Sequence, residues 1–259
     1  MDLGSLGIVC ALVFGLVLGS FLNVCIYRVP IKKSIAFPAS HCPQCSENIR
    51  FYDNIPVLSY AILGGKCRKC RTPIPIRYPL VELITGLLST ALFLRFGVSV
   101  QFFLYLAFSA SLVVITFIDI QHQIIPDVIS IPGIIVGLII SFFGFTGMPW
   151  HESLVGLLAG GGCLFLVGTL FEWITGKEGM GGGDVKLLAM IGAWMGWKGL
   201  PYIVLMSSLA GALIGGISLI VAGSGMRTKI PFGPFLSLGA LVYFFFGNDL
   251  IAWYVRNIL

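Results

Sequence analysis

Charge is what this sequence has least of. Only 10% of its 259 residues are charged, and 11 of them are Asp or Glu, where a soluble domain carries roughly 25% charged residues. With 57% hydrophobic residues and a mean hydropathy of +0.98, that scarcity excludes a soluble globular chain and indicates a polytopic membrane protein. No G-x-G-x-x-G segment suggests a Rossmann cofactor fold. No basic region precedes the first apolar stretch and no small-residue cleavage site precedes Arg28, so that stretch reads as a retained span. No internal repeat is evident, and ionisable residues are not scattered deep through several spans. Both absences count against a proton-coupled transporter, which would use its acids as a relay.

What remains is organised by hydrophobicity. Apolar windows predict spans at roughly 5–27, 79–96, 101–118, 128–146, 153–174, 185–197, 199–222 and 231–247. The 16 Lys and Arg residues orient them. Nine (Arg28, Lys32, Lys33, Arg50, Lys66, Arg68, Lys69, Arg71, Arg77) fall between the first two spans. Lys177, Lys186, Arg227 and Lys229 join them on one side, leaving only Arg95, Lys198 and Arg256 on the other. By the positive-inside rule the rich side is cytoplasmic and the N-terminus lies outside. Topology thus accounts for the basic loop, and with sparse aromatics there is no call for nucleic acid as a partner.

The loop carries a second pattern. Cys42-Pro-Gln-Cys45 and Cys67-Arg-Lys-Cys70 are two C-x2-C pairs, each able to donate two thiolates from one turn. Together they suit a closed tetrahedral zinc site, structural rather than hydrolytic; two redox dithiols or simply unligated thiols are the alternative readings. A reducing cytoplasm argues against disulfides. The basic neighbours Lys66, Arg68, Lys69 and Arg71 would offset the charge of four thiolates. A loop this short has little core, so metal binding would supply its folding energy. Gly64-Gly65 suits a tight turn. Cys10, Cys25 and Cys163 lie in spans and read as small packing residues. The predicted fold is therefore all-α and polytopic, with about eight transmembrane helices and a small cytoplasmic zinc-binding loop domain. Its expected segments are 1–27 (first helix), 28–78 (four-cysteine zinc loop) and 79–259 (membrane core).

Two acids stand out. Asp119 ends the third span, and Asp184 follows the run Gly179-Met180-Gly181-Gly182-Gly183 at the start of the sixth. The predicted topology puts both at the cytoplasmic face, where two carboxylates sharing one water are the minimum equipment for acid/base peptide hydrolysis. The competing reading of Asp184 is a helix N-cap. Gly181 and Gly183 would let a partner segment approach the carboxylate closely. Asp119 is poorly placed against a helix dipole, which favours cations at that end. Lys186 either holds Asp184 ionised, binds an acidic group of the substrate, or snorkels to the interface. Asp127, after Pro126, reads as the N-cap of the fourth span, His122 as a loop residue, and Glu82 as the partner of a basic side chain.

At this point the motifs carry a likeness. Gly19-Ser20-Phe21-Leu22-Asn23-Val24 with Arg28 and Pro30, the four cysteines, Asp53-Asn54-Ile55-Pro56, and Arg77-Tyr78-Pro79-Leu80-Val81-Glu82 come first. Asp119, Ile125-Pro126-Asp127 and Gly181-Gly182-Gly183-Asp184-Val185-Lys186 follow in order. The chain resembles the type IV prepilin peptidases, inner-membrane aspartyl proteases of bacteria that process pilins and type II secretion pseudopilins. The resemblance implies cleavage of a basic leader after glycine at the cytoplasmic face. It also implies N-methylation of the exposed residue with S-adenosylmethionine, whose binding residues the sequence does not indicate. Carried over, the catalytic pair falls on Asp119 and Asp184.

Overall fold

The computed structural model describes residues 3–176, 181–222 and 231–258, all of it helix, turn and loop apart from two isolated β-bridges. Lys177, Glu178, Gly179, Met180, Arg227 and Lys229, on which parts of the charge count and the glycine run rest, lie outside the described residues. The chain divides into two compact units, Met1–Val114 and Ile115–Leu259. Five described helices are long and apolar enough to cross a membrane, and further apolar helices are shorter.

In the first unit, α1 (Leu3–Arg28) packs along α3 (Arg77–Phe96). Lipid is as apolar as leucine, so close backbone approach and polar fasteners must hold such a pair. Both are present. A Cβ on Gly15 would meet Ser89 Cβ at 2.5 Å, and one on Gly19 would meet Glu82 Cα at 2.6 Å. The Ser89 hydroxyl donates to Ala11 O (2.7 Å) and Asn23 Nδ2 donates to Tyr78 O (3.0 Å). Between these helices lies the loop with the short helix α2 (Leu58–Ile62). The first turns of α4 (Val100–His122) add aromatic contacts, Phe93 against Phe102 and Phe96 stacked on Tyr105.

The second unit begins within α4 and continues through α5 (Asp127–Phe142), α6 (Trp150–Thr175), α7 (Gly182–Met195), α8 (Leu200–Ala222) and α9 (Gly233–Ile258). Its centre is α7. With 14 residues it is only about 21 Å long at 1.5 Å per residue, yet every residue from Leu187 to Trp194 is buried. A helix too short to span is tolerated because protein, not lipid, surrounds it. On the α6 side, Gly160 lies so close that a Cβ would stand 2.5 Å from Leu188 O, and the Ser153 hydroxyl donates to Ala193 O. On the α5 side, Gly137 faces the Trp194 ring, whose Nε1 donates to Gly133 O at 2.8 Å. Gly196, at φ +75°, stops the helix.

Several elements differ from the sequence reading. α4 runs on through His122, so Asp119 lies inside its last turn and His122 is helical rather than in a loop. Gln123 then closes the helix at φ +53°, donating its N–H to Asp119 O. Asp127 is the first residue of α5, and Pro126, not Asp127, holds the cap position. α5 stops at Phe142, short of the expected 146, whereas α9 extends to Ile258. Cys10 and Cys163 are exposed on their helices rather than packed inside.

Candidate active site and candidate metal centre

Three chain segments meet around Asp119. The side chain is 5% exposed, and its Oδ2 accepts the backbone N–H of Gly233, the first residue of α9, at 3.1 Å. Asp184 is the third residue of α7, and Gly181, not Asp184, holds the cap position. The capping reading therefore fails. The two acids share one neighbour: Ile125 stands against Gly183, beside Asp184, and against Gly233, whose N–H Asp119 accepts.

Ile125, in the short connection after α4, is the wedge of the site. A Cβ on Gly183 would stand 2.9 Å from Ile125 Cβ, and one on Gly233 would stand 3.2 Å from Ile125 Cδ1. Glycine at both positions lets the starts of α7 and α9 close on this connection. Beside them Lys186 Nζ donates to both carboxylate oxygens of Asp127, at 2.7 and 2.8 Å. Lys186 thus reaches across from α7 to α5 instead of turning back to Asp184.

In the first unit the four cysteines fold into two matching knuckles. Cys42 N–H donates to Glu47 O and Cys67 N–H to Thr72 O, both at 2.9 Å. The fourth residue after each of these cysteines, Ser46 and Arg71, adopts positive φ (+55° and +60°). All four sulfurs lie within 4.8 Å of one another. The Cys42 Sγ to Cys70 Sγ separation of 3.7 Å fits the edge of about 3.8 Å implied by a tetrahedron with zinc–sulfur bonds of about 2.3 Å. The Thr72 hydroxyl and amide hold the Cys70 thiol down while burial and the neighbouring thiols push Cys45 up, so the four sulfurs share protons as one cluster. Lys69 pairs with Glu47 across the two knuckles, and Arg68 grips Asp53 at 2.6 Å. Two of the four basic neighbours expected to balance thiolate charge are thus already engaged.

The sequence matches two family models: "Bacterial Peptidase A24 N-terminal domain" over residues 13–96 and "Type IV leader peptidase family" over 106–216. Among similar proteins is one from Pseudomonas putida, 40% identical over 95% of this chain and 92% of its own. Another, from Xanthomonas campestris, is 40% identical over 97% and 96%, and one from Pseudomonas aeruginosa is 39% identical over 96% and 93%. All three are named prepilin leader peptidase/N-methyltransferase. The chain belongs to the type IV leader peptidase family. No solved structure matches it.

Within the leader peptidase segment 106–216 fall Asp119, Asp127, Gly181, Gly183, Asp184 and Lys186; the cysteines fall within 13–96. Gly233 lies beyond both, and the sequence reading missed it. Its available signal was Pro231-Phe232-Gly233-Pro234, a glycine framed by prolines before an apolar run. Motif residues of the first unit act as fasteners. Arg28 donates to Ser34 O (2.9 Å) and Pro38 O (2.7 Å), binding the loop to the end of α1. Glu82 accepts Val57 N–H at 2.8 Å and is also bonded by the Ser20 side chain, so its partners are an amide and a hydroxyl and not the basic side chain expected.

Proposed function

We propose that this leader peptidase is a bifunctional membrane enzyme that cleaves the basic leader of type IV prepilins or pseudopilins after glycine, using Asp119 and Asp184, and then N-methylates the new N-terminus. The observation that carries the peptidase reading is that Asp119, on α4, and Asp184, on α7, flank one residue, Ile125, which lies against both Gly183 and Gly233. One carboxyl starts ionised and the other protonated, since like charges at close range resist joint ionisation. The ionised group takes a proton from water as the water oxygen attacks the scissile carbonyl, and the protonated group donates to the carbonyl oxygen. Gly181 and Gly183 leave room for an extended substrate backbone beside Asp184. Lys186 and Asp127 brace the rim.

The proposed architecture has about eight transmembrane helices, with the first at 1–27, a cytoplasmic zinc loop at 28–78 and the protease core at 79–259. The N-terminus lies outside, and the active site opens at the cytoplasmic face of the bacterial inner membrane. Zinc held by Cys42, Cys45, Cys67 and Cys70 would be structural, since four protein ligands leave no open position.

S-adenosylmethionine is the methyl donor this reading implies. In the first unit a cavity of about 350 Å³ is lined by Ser20, Arg28, Ser40 and Asn54 among apolar residues. It holds no carboxylate, and both terminal nitrogens of Arg28 are engaged. That lining does not suit a cationic sulfonium.

Purified protein mixed with a prepilin in detergent tests the reading by mass spectrometry. Leader loss and one added methyl are expected, with Asp119→Asn and Asp184→Asn each inserted but unable to cleave. Substantial cleavage by either variant would remove that aspartate from the mechanism.

A further inference from the structure

The two acids differ in one respect that bears on their roles. The Asp119 carboxylate accepts a buried N–H from Gly233; among the described residues no donor reaches the Asp184 carboxylate. The donor is well suited to this task. Gly233 is the first residue of α9, where an amide has no intrahelical acceptor and the helix dipole favours negative charge. Pro234, next along, has no N–H to compete. Glycine is also required sterically, because a Cβ at 233 would stand 2.6 Å from Asp119 Oδ2. Among the described residues no cation competes for this role. Lys186 is taken by Asp127, and His122 is exposed at the end of α4. Among the described residues no charged side chain acts on Asp119 as a counterion.

We propose that Gly233 is a positioning residue whose N–H holds Asp119 as the ionised general base, leaving Asp184 as the proton-bearing acid. The assignment rests on the aspartyl peptidase reading above. The steps then balance. Asp119 takes a proton from water while the water oxygen bonds to the scissile carbon, and Asp184 gives its proton to the carbonyl oxygen. The tetrahedral diol collapses as the carbon–nitrogen bond breaks. Asp119 delivers its proton to the leaving nitrogen, and a diol hydroxyl returns one to Asp184. Both acids end as they began.

The test measures kcat and KM for leader cleavage across pH in wild type, Gly233→Ala and Gly239→Ala, and in a protein carrying glycolic acid in place of Gly233. The last replacement turns the amide into an ester, removing the N–H without adding bulk. Below the acidic edge Gly233→Ala should lose about tenfold in kcat with little change in KM, since a one-unit rise in the base's pKa cuts its ionised fraction about tenfold there. The acidic edge of its pH–rate profile should move toward neutral pH, and the ester should reproduce that shift. Gly239→Ala, whose Cβ crowds Ser207 from the same α9 and meets no carboxylate, should leave the acidic edge in place. If Gly233→Ala does not accumulate in membranes, the ester protein decides alone. An ester protein with the wild-type profile overturns the proposal, as does movement of the alkaline edge instead. Failure of the underlying reading shows separately, as cleavage by Asp119→Asn or Asp184→Asn.

Discussion

Gly156 of α6 and Gly192 of α7 meet backbone against backbone, so closely that a Cβ on either would overlap the carbonyl oxygen of the other. Backbone cannot step aside as a flexible side chain can. The contact matters to the site because α7 carries Asp184, and α6 fixes where α7 sits. Gly192→Ala should therefore lower unfolding stability in detergent by about 1–3 kcal/mol, the usual range for overpacking. Gly162→Ala, on the same α6 but with nothing within 4 Å of its added carbon, should leave stability unchanged or raise it by about 0.5–1 kcal/mol through helix propensity. Equal losses from both would show that the Gly156–Gly192 contact does not govern packing.

Lys186 and Asp127 form a bidentate pair with side chains 42% and 56% exposed. At such exposure solvent screens the attraction, and the coupling should be about 0.2–1 kcal/mol. A double-mutant cycle with Lys186→Met and Asp127→Asn measures it. If the pair acts as a brace between α7 and α5, the two single variants should slow cleavage equally and the double variant no further. Additive losses would mean that Lys186 serves Asp184 or the substrate directly.

Much of this site was legible in the sequence because its parts carry side-chain signatures. An acid at the end of an apolar run is conspicuous, and so is one after a glycine run. Spaced cysteine pairs are equally plain, and the knuckles they form have the matched backbone the spacing anticipates. Gly233 was not legible, because what it contributes is a backbone N–H to a residue 114 positions away. No side-chain pattern records such a bond. Glu82 was misread for a related reason. Charge pairing is the obvious expectation for a lone acid, but the acceptor it supplies satisfies a backbone amide. The end of α4 was misplaced because hydropathy falls at Asp119 while the helix continues another turn and closes on Gln123.

The Glu82 bond has its own consequence. Val57, whose N–H it accepts, sits at φ +61°, a conformation a β-branched residue rarely adopts. Glu82→Gln keeps an acceptor oxygen and should be nearly neutral. Glu82→Leu leaves the amide without a partner and should cost about 1–3 kcal/mol. Thermal unfolding in detergent distinguishes the two. Equal stability of both variants would show that the amide finds water instead.

The four cysteines make the most direct prediction about composition. Protein purified without chelator should carry one zinc per chain, and X-ray absorption should report four sulfur neighbours at about 2.3 Å. Replacing any one of Cys42, Cys45, Cys67 or Cys70 with Ser should lower metal retention, because each supplies one corner of a single site. Prolonged chelation should expose the 40–75 segment to proteases, since its hydrogen-bonded knuckles have little apolar core to hold them once the metal leaves. The protease pair offers an internal control, because Asp119 and Asp184 belong to the other unit. Asp119→Asn and Asp184→Asn should therefore retain full metal. Recovery of Cys42–Cys70 or other disulfides from protein handled without oxidant, with no bound metal, would replace the structural zinc by the redox reading of the same four thiols.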